Sequence, residues 1–429
     1  MILAYRVFSY LIYPLLIILI YCRKILEKED PKRYKEKIFS SHFNVKKKRN
    51  SKLVWFHAAS IGEFNSIMPI IYELNNHKNK FEFLITTTTK SSGKLAEIEI
   101  KKYKNIQHRY LPLDVSFLIN NFLKSWKPNR IFLVDSEIWP NLIINANKYK
   151  IPLALINARL TEKSFNRWLK FPVTAKKIFN LFDLFLPANL ETKKFLKKLT
   201  ARNIYYNGNI KLINEVNFAK IKNINKKILL KSRFWMAAST HEGEDIFCLN
   251  VHSKIKKKYK DIITIIAPRH ISRVHKLKSL SEKFKLNVQL LNKGDLILKN
   301  KEIVIINSFG VLKKYFKYAK SVFIGKSIIK KLKNDSGQNP MDAAKLNCKI
   351  YHGPYVNNFK EIYKILEKNN IAKKINTYEE LSSNLIKDLK SPSKNNNYNL
   401  KAIDSLGRKT LSDTMKNINK FIFNDIKKT

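Results

Sequence analysis

The run LVWFHAASIGE, residues 53–63, decides how this chain is to be read. Leu53 to Ala58 is a short apolar stretch of strand length, Ser60 and Gly62 mark a turn, and residues 64–74 carry helix-like apolar spacing. A strand that feeds a helix through a tight turn is the repeating unit of a parallel α/β sheet. The unit recurs at FEFLITTTT (81–89), RIFLVDS (130–136), PLALINA (152–158) and LFLPA (184–188), with helical runs such as Ser116–Trp126 and 141–150 between them. A Lys/Asn-rich tract, 214–231, interrupts the alternation and reads as a linker. The pattern then restarts with FWMAAS (234–239), DIITIIAP (261–268), EIVIINS (302–308), SVFIG (321–325) and KIYHG (349–353). The expectation is two Rossmann-like α/β domains facing a cleft, 53–213 and 232–398. The polar run SPSKNNNYN (391–399) precedes a last amphipathic helix within 399–429, free to pack on either domain.

Composition bounds the function classes. The chain has 429 residues, with 83 Lys and Arg against 33 Asp and Glu, a net charge of +50; 45% hydrophobic residues supply real cores. Lys is spread over the whole chain rather than gathered into one stripe, so the charge permits an anionic membrane, a phosphorylated lipid or nucleic acid and singles out none. Cys22, Cys248 and Cys348 are odd in number and widely separated, which excludes a disulfide framework and a zinc cluster.

The amino terminus adds a location. From Val7 to Cys22 the sequence VFSYLIYPLLIILIYC is uncharged, and residues 1–22 read as one short membrane-anchoring helix, spanning or interfacial; a buried core helix is the alternative. Arg23, Lys24, Lys28, Lys32, Arg33, Lys35 and Lys37 follow in a basic juxtamembrane segment, 23–52, and place the body on the cytoplasmic side.

Ligands of open α/β sheets bind beyond the carboxyl ends of the strands. There the first domain offers Ser60, Gly62 and Glu63 in HAASIGE (57–63), Glu137 in DSEIWPN (135–141) and Arg159 in NARLTEKS (157–164). Two carboxylates on neighbouring strand ends suit general-base chemistry on a hydroxyl. Glu63 equally suits a helix start, and Arg159 an ion pair. Groups suited to an anion follow, Lys211 in GNIK (208–211) at the domain junction and, in the second domain, Ser239, Thr240 and Glu242 in AASTHEGED (237–245) and Arg269 and His270 in APRH (267–270). Gly325 and Ser327 in GKS (325–327), and Asn339 and Asp342 in GQNPMDAA (337–344), complete the set. Free N–H groups at a helix start attract phosphate, and a first-turn acid such as Asp342 can bind ribose hydroxyls. N-capping and dipole pairing are the plainer alternatives. There is no Walker loop, no G-x-G-x-x-G and no D-x-D metal motif, so no metal is expected.

In this order, HAASIGE, DSEIWPN, NARLTEKS, GNIK, STHEGE, APRH, NP-M-D and GPYVNNFKEI (353–362) resemble the bacterial 3-deoxy-D-manno-octulosonic acid (Kdo) transferases of lipid A and lipopolysaccharide biosynthesis. The resemblance implies the GT-B glycosyltransferase fold, a CMP-Kdo donor, a phosphorylated lipid A precursor as acceptor, no cofactor, anionic inner-membrane lipids as neighbours and no nucleic acid. It implies an enzyme on the cytoplasmic face of the inner membrane. By position it makes Glu63 the general base and Glu137 its companion carboxylate, and puts Ser239, Thr240 and Arg269 around the nucleotide phosphate. Lys326, Gln338, Asp342 and Tyr355 stand where the family commonly has Gly, His, Glu and His. The rival readings are a GT-B transferase with another activated sugar, and a non-catalytic basic protein of membranes or nucleic acid.

Overall fold

The computed structural model describes residues 1–45, 51–76, 81–213, 221–391, 394, 396–398 and 400–423. The chain forms two compact units, 1–214 together with 404–429, and 215–403. The interruption expected at 214–231 therefore does fall at the unit boundary, although 214–220 lie outside the described residues. Lys226–Lys231, expected as linker, is a short helix with Leu229 buried.

In the first unit the strands are β1 (Lys52–His57), β2 (Phe81–Thr87), β3 (Ile106–Tyr110), β4 (Arg130–Val134), β5 (Leu153–Ala158) and β6 (Leu184–Pro187). All pair in parallel, in the order β3-β2-β1-β4-β5-β6. Side chains alternate across the sheet: Leu53 and Trp55 join the cluster of Phe122 and Trp126, while Val54 and Phe56 join that of Ile67 and Ile70. The final helix, Lys401–Phe423, packs Met415, Ile418 and Phe421 into the second cluster, which assigns it to this unit.

The second unit holds β7 (Phe234–Thr240), β8 (Ile263–Pro268), β9 (Val288–Leu291), β10 (Ile303–Ile306), β11 (Ser321–Ile324), β12 (Lys349–His352) and β13 (Ala372–Lys374). They too are parallel, in the order β13-β12-β11-β7-β8-β10-β9. The direction of winding reverses between β1 and β4 in one unit and between β7 and β11 in the other. At such a point the connections leave in opposite directions and a crevice opens above the strand ends.

The amino terminus departs from the single anchoring helix. Ile2–Leu11 and Tyr13–Ile25 are two helices bent by 55°, and no single helix among the described residues is long and apolar enough to cross a membrane. Pro14 lies in the first turn of the second helix, where its missing N–H and fixed φ fit; one straight helix would place the ring against the preceding turn. The first helix is pinned to the unit by Tyr5 Oη–Asp114 Oδ2 at 2.9 Å and Arg6 Nη2–Asn145 Oδ1 at 3.0 Å, while Leu3, Leu11, Leu15 and Ile25 stay exposed. Burial pushes the Asp114 carboxyl up to about 6, against the pull of its bonds from Asn141, Tyr5 and Leu142. Within the basic segment 23–52, the described residues 23–45 are folded as well, since Arg33 binds Glu36, Glu97 and His108, and Lys37 binds Glu29.

Ile418 is fully buried where the last helix meets the sheet. Ile418→Ala is expected to cost about 2–5 kcal/mol, as large-to-small core changes do, measured by denaturant unfolding.

Candidate active site

Glu63 sits at the third position of the helix Ile61–Asn75, which starts because Ser60 caps it. The pair forms a variant of the capping box: Glu63 N donates to Ser60 Oγ (3.3 Å), while Glu63 Oε1 accepts from Ser60 Oγ (2.8 Å) and Oε2 from Ala59 N (2.8 Å). The helix-start role and the chemical role thus fall on one side chain. Gly62 is exposed, and a Cβ there would meet only Ser60 Oγ, at 3.9 Å.

Across the point of reversal, the loop after β4 supplies Asp135 and Glu137. Asp135 has a left-handed backbone, φ +60°, and is buried. Its carboxylate accepts from Asn157 Nδ2 and lies 2.5 Å from Lys211 Nζ. Lys211, expected at a nucleotide phosphate, is therefore an ion-pair partner within the first unit. Arg159 N donates to Asp135 O at 3.0 Å and Ser136 Oγ donates to Arg159 O at 2.8 Å, so this backbone braces the loop. Glu137 Oε2 receives Trp139 Nε1–H at 2.7 Å and lies 3.2 Å from His57 Nε2.

Three carboxylates share this site with one lysine. Burial, then the charges of Asp135 and Glu137, push the Glu63 carboxyl up to about 7, against the pull of Ser60 and Lys211. A half-buried carboxyl poised near neutrality is what proton transfer from a hydroxyl requires.

The second centre stands at the β7/β11 reversal. Ser239 lies at a bulge between β7 and β8 with φ +59°, and its hydroxyl bonds to no described residue. Thr240 is committed instead: buried, with its hydroxyl donating to Asp245 at 3.2 Å. The helix Glu244–Lys256 begins with two acids rather than with an open phosphate cradle. Asp245 pairs with Arg273, and Glu244 turns to the neighbouring loop.

Glu244 organises that loop. Fully buried, it accepts from His241 N (2.8 Å), Lys326 N (2.7 Å), Ser327 N (2.8 Å) and Ile328 N (3.3 Å). Burial raises its carboxyl while these four donors pull it down. A Cβ on Gly325 would sit 2.6 Å from Glu244 Oε2 and 2.7 Å from Ser239 O, so only glycine lets the two loops close on each other. Lys326, where the family pattern has Gly, adopts φ +58°.

Several sequence candidates are engaged structurally. Ser327 is buried, donating to Ile324 O and accepting from Gly353 N. Asn339 caps the turn at Met341 N, Asp342 lies 3.2 Å from Lys313, and exposed Glu242 pairs with Lys276. Arg269 and His270 are exposed, and the Arg269 guanidinium bonds to no described residue. His270 packs edge-on against His241, whose imidazole is lowered to about 4 by burial. Among the described residues no cluster of three His, Cys, Asp or Glu is able to hold a metal. His57, Asp135 and Glu244 were missed although each lies inside a quoted motif; the sign available was an acid or His flanking the strand end.

A model of the family described as 3-Deoxy-D-manno-octulosonic-acid transferase (kdotransferase) matches residues 32–214. The probable mitochondrial 3-deoxy-D-manno-octulosonic acid transferase of Arabidopsis thaliana is 30% identical over 85% of this chain and 82% of its own. The 3-deoxy-D-manno-octulosonic acid transferase of Rickettsia bellii is 30% identical over 92% of both chains. The chain belongs to the Kdo transferase family. It is a glycosyltransferase, as the ordered motifs implied. The same two-domain α/β fold occurs in a UDP-N-acetylglucosamine 2-epimerase structure from Rickettsia bellii, with TM-score 0.56 and 14% identity over 87% of this chain and 97% of that one.

Gly325→Ala should destabilise the second unit by more than about 2 kcal/mol, because the new methyl meets backbone and a buried carboxylate. Lys326→Gly should instead stabilise it by roughly 1 kcal/mol through relief of the left-handed residue. Thermal melting of both variants checks the pair of signs.

Proposed function

We propose that this Kdo transferase moves Kdo from CMP-Kdo to a hydroxyl of a phosphorylated lipid A precursor, with inversion, in lipopolysaccharide assembly at the cytoplasmic face of the inner membrane. The observation that carries the reading is Glu63, a half-buried carboxyl held near neutrality between Asp135 and Glu137. Glu63 takes the acceptor's proton as the hydroxyl oxygen forms its bond to the anomeric carbon of Kdo. The bond from that carbon to the CMP phosphate oxygen breaks, and CMP leaves with the electron pair. General-base help of this kind is worth about two to four powers of ten in rate.

For the nucleotide phosphate we assign the groups that stand uncommitted: Arg269, His270 and the Ser239 hydroxyl. A guanidinium offers two directed bonds to phosphate oxygens. Thr240, Ser327 and Glu244 hold these loops in shape, and Lys211 serves the first unit by balancing Asp135. The bent amino-terminal pair, with exposed Leu3, Leu11, Leu15 and Ile25 beside Arg23 and Lys24, is suited to an anionic bilayer surface.

Purified protein given CMP-Kdo and a lipid A precursor should yield an acceptor heavier by whole Kdo units in mass spectrometry. Product only from nucleoside-diphosphate sugars would transfer the reading to another donor class.

Glu63→Gln should lower turnover at least about a hundredfold. A base works ionised, so wild-type kcat should climb with pH through about 7 and level above it, and that limb should vanish in the variant. A pH–rate series on both proteins reads this directly.

A further inference from the structure

We propose that His57 is a positioning residue for the transfer: with Trp55 and Thr86 it forms a one-way chain of donors that ends on Glu137 and holds that side chain in place beside Glu63. The inference rests on the transferase reading above. Trp55 Nε1 lies 2.9 Å from Thr86 Oγ1, Thr86 Oγ1 lies 2.9 Å from His57 Nδ1, and His57 Nε2 lies 3.2 Å from Glu137 Oε2. Trp55, His57 and Thr86 are fully buried, whereas the Glu137 side chain keeps 17% of its surface exposed.

The direction of each bond follows from the chemistry of its ends. An indole N–H only donates, so Trp55 fills one lone pair of the Thr86 hydroxyl. Thr86 has one proton left to give, and His57 Nδ1, 2.9 Å away, is the acceptor within reach; Nδ1 also lies 3.2 Å from Thr86 O, but that carbonyl already accepts from Ala58 N at 2.9 Å. With Nδ1 accepting, the neutral imidazole carries its proton on Nε2, which donates to Glu137. Trp139 Nε1 donates to the same oxygen, so Glu137 Oε2 receives two N–H bonds and Oε1 none from the described residues. Donors of this kind favour the anion. No proton needs to travel along the chain; its role is orientation.

The charged groups around Glu63 are Asp135 and Glu137 from the loop after β4 and Lys211 from the segment Ile210–Leu212. Asp135 is balanced by Lys211, while Glu137 meets no Lys or Arg among the described residues and is held by N–H groups of His57 and Trp139. The unbalanced charge beside Glu63 is thus the one His57 holds. Loss of that donor frees Glu137 to turn away, and with its charge more distant Glu63 becomes a weaker base.

The test compares His57→Leu with His57→Gln, whose side-chain amide can still donate at the Nε2 position. His57→Leu should lose about tenfold or more in kcat, with the KM for CMP-Kdo within about twofold. Its acid limb should move down by at least about half a pH unit, while His57→Gln stays within about threefold of wild type at the original limb. Nitrogen-15 NMR of histidine-labelled wild type, with His57 assigned by its absence in His57→Gln, should show the neutral Nε2–H tautomer. A His57→Leu protein with wild-type kcat and limb, or an Nδ1–H tautomer, overturns the proposal. Should His57→Leu not fold, Thr86→Val removes the proton given to Nδ1 and should shift the limb the same way; an unmoved limb overturns it equally. Wild type that transfers nothing from CMP-Kdo would sink the function reading, while the tautomer still judges His57.

Discussion

Everything at the two centres depends on how negative charge is held at strand ends that a parallel sheet leaves open. Winding reverses at β1/β4 and at β7/β11, and a buried carboxylate stands at each reversal. An unpaired buried carboxylate would protonate or unfold its surroundings. Asp135 is met by Lys211 and Asn157, and Glu244 by four backbone N–H groups. The compensation differs, and so does the use: one centre keeps carboxylates close enough to raise Glu63, the other spends its carboxylate on binding two loops together.

Seen this way, the glycines and the left-handed residues belong to the electrostatics. Asp135, Asn157, Ser239 and Lys326 all have positive φ, and all lie at strand ends of the two reversals or beside them. Such backbones cost of order 1–3 kcal/mol in non-glycine residues and persist where surroundings fix them. At Asp135, Asn157 and Lys326 the fixing groups include the hydrogen bonds that hold the carboxylates.

The sequence was most legible where burial is two-sided. β1, β2, β4, β5, β6, β7, β8, β10, β11 and β12 read as apolar runs because both faces of the sheet are covered. IQHRY, VQLL and AKK, the strands β3, β9 and β13, carry polar residues and lie toward or at sheet edges, where hydropathy gives little sign. At the site, Glu63 was legible as a helix-start acid, the role its bonds with Ser60 show. The partners of Lys211, Thr240 and Ser327 were not legible because spacing along a chain says which strand end a residue occupies, not which neighbour claims its polar atoms. The amino terminus misled for a related reason: hydropathy counts apolar residues and is blind to the bend at Pro14.

The return of the last helix to the first unit bears on how the protein is made. Residues 215–403 form an insert within the first unit, whose second apolar face is closed by Met415, Ile418 and Phe421. A ribosome delivers these residues after every strand of both units. All six strands of the first unit precede the insert, so during synthesis this earlier-made sheet waits with part of one face uncovered until the final helix follows, a state prone to aggregation. A stop codon anywhere in the final helix would make that transient exposure permanent while leaving every proposed catalytic side chain in the chain.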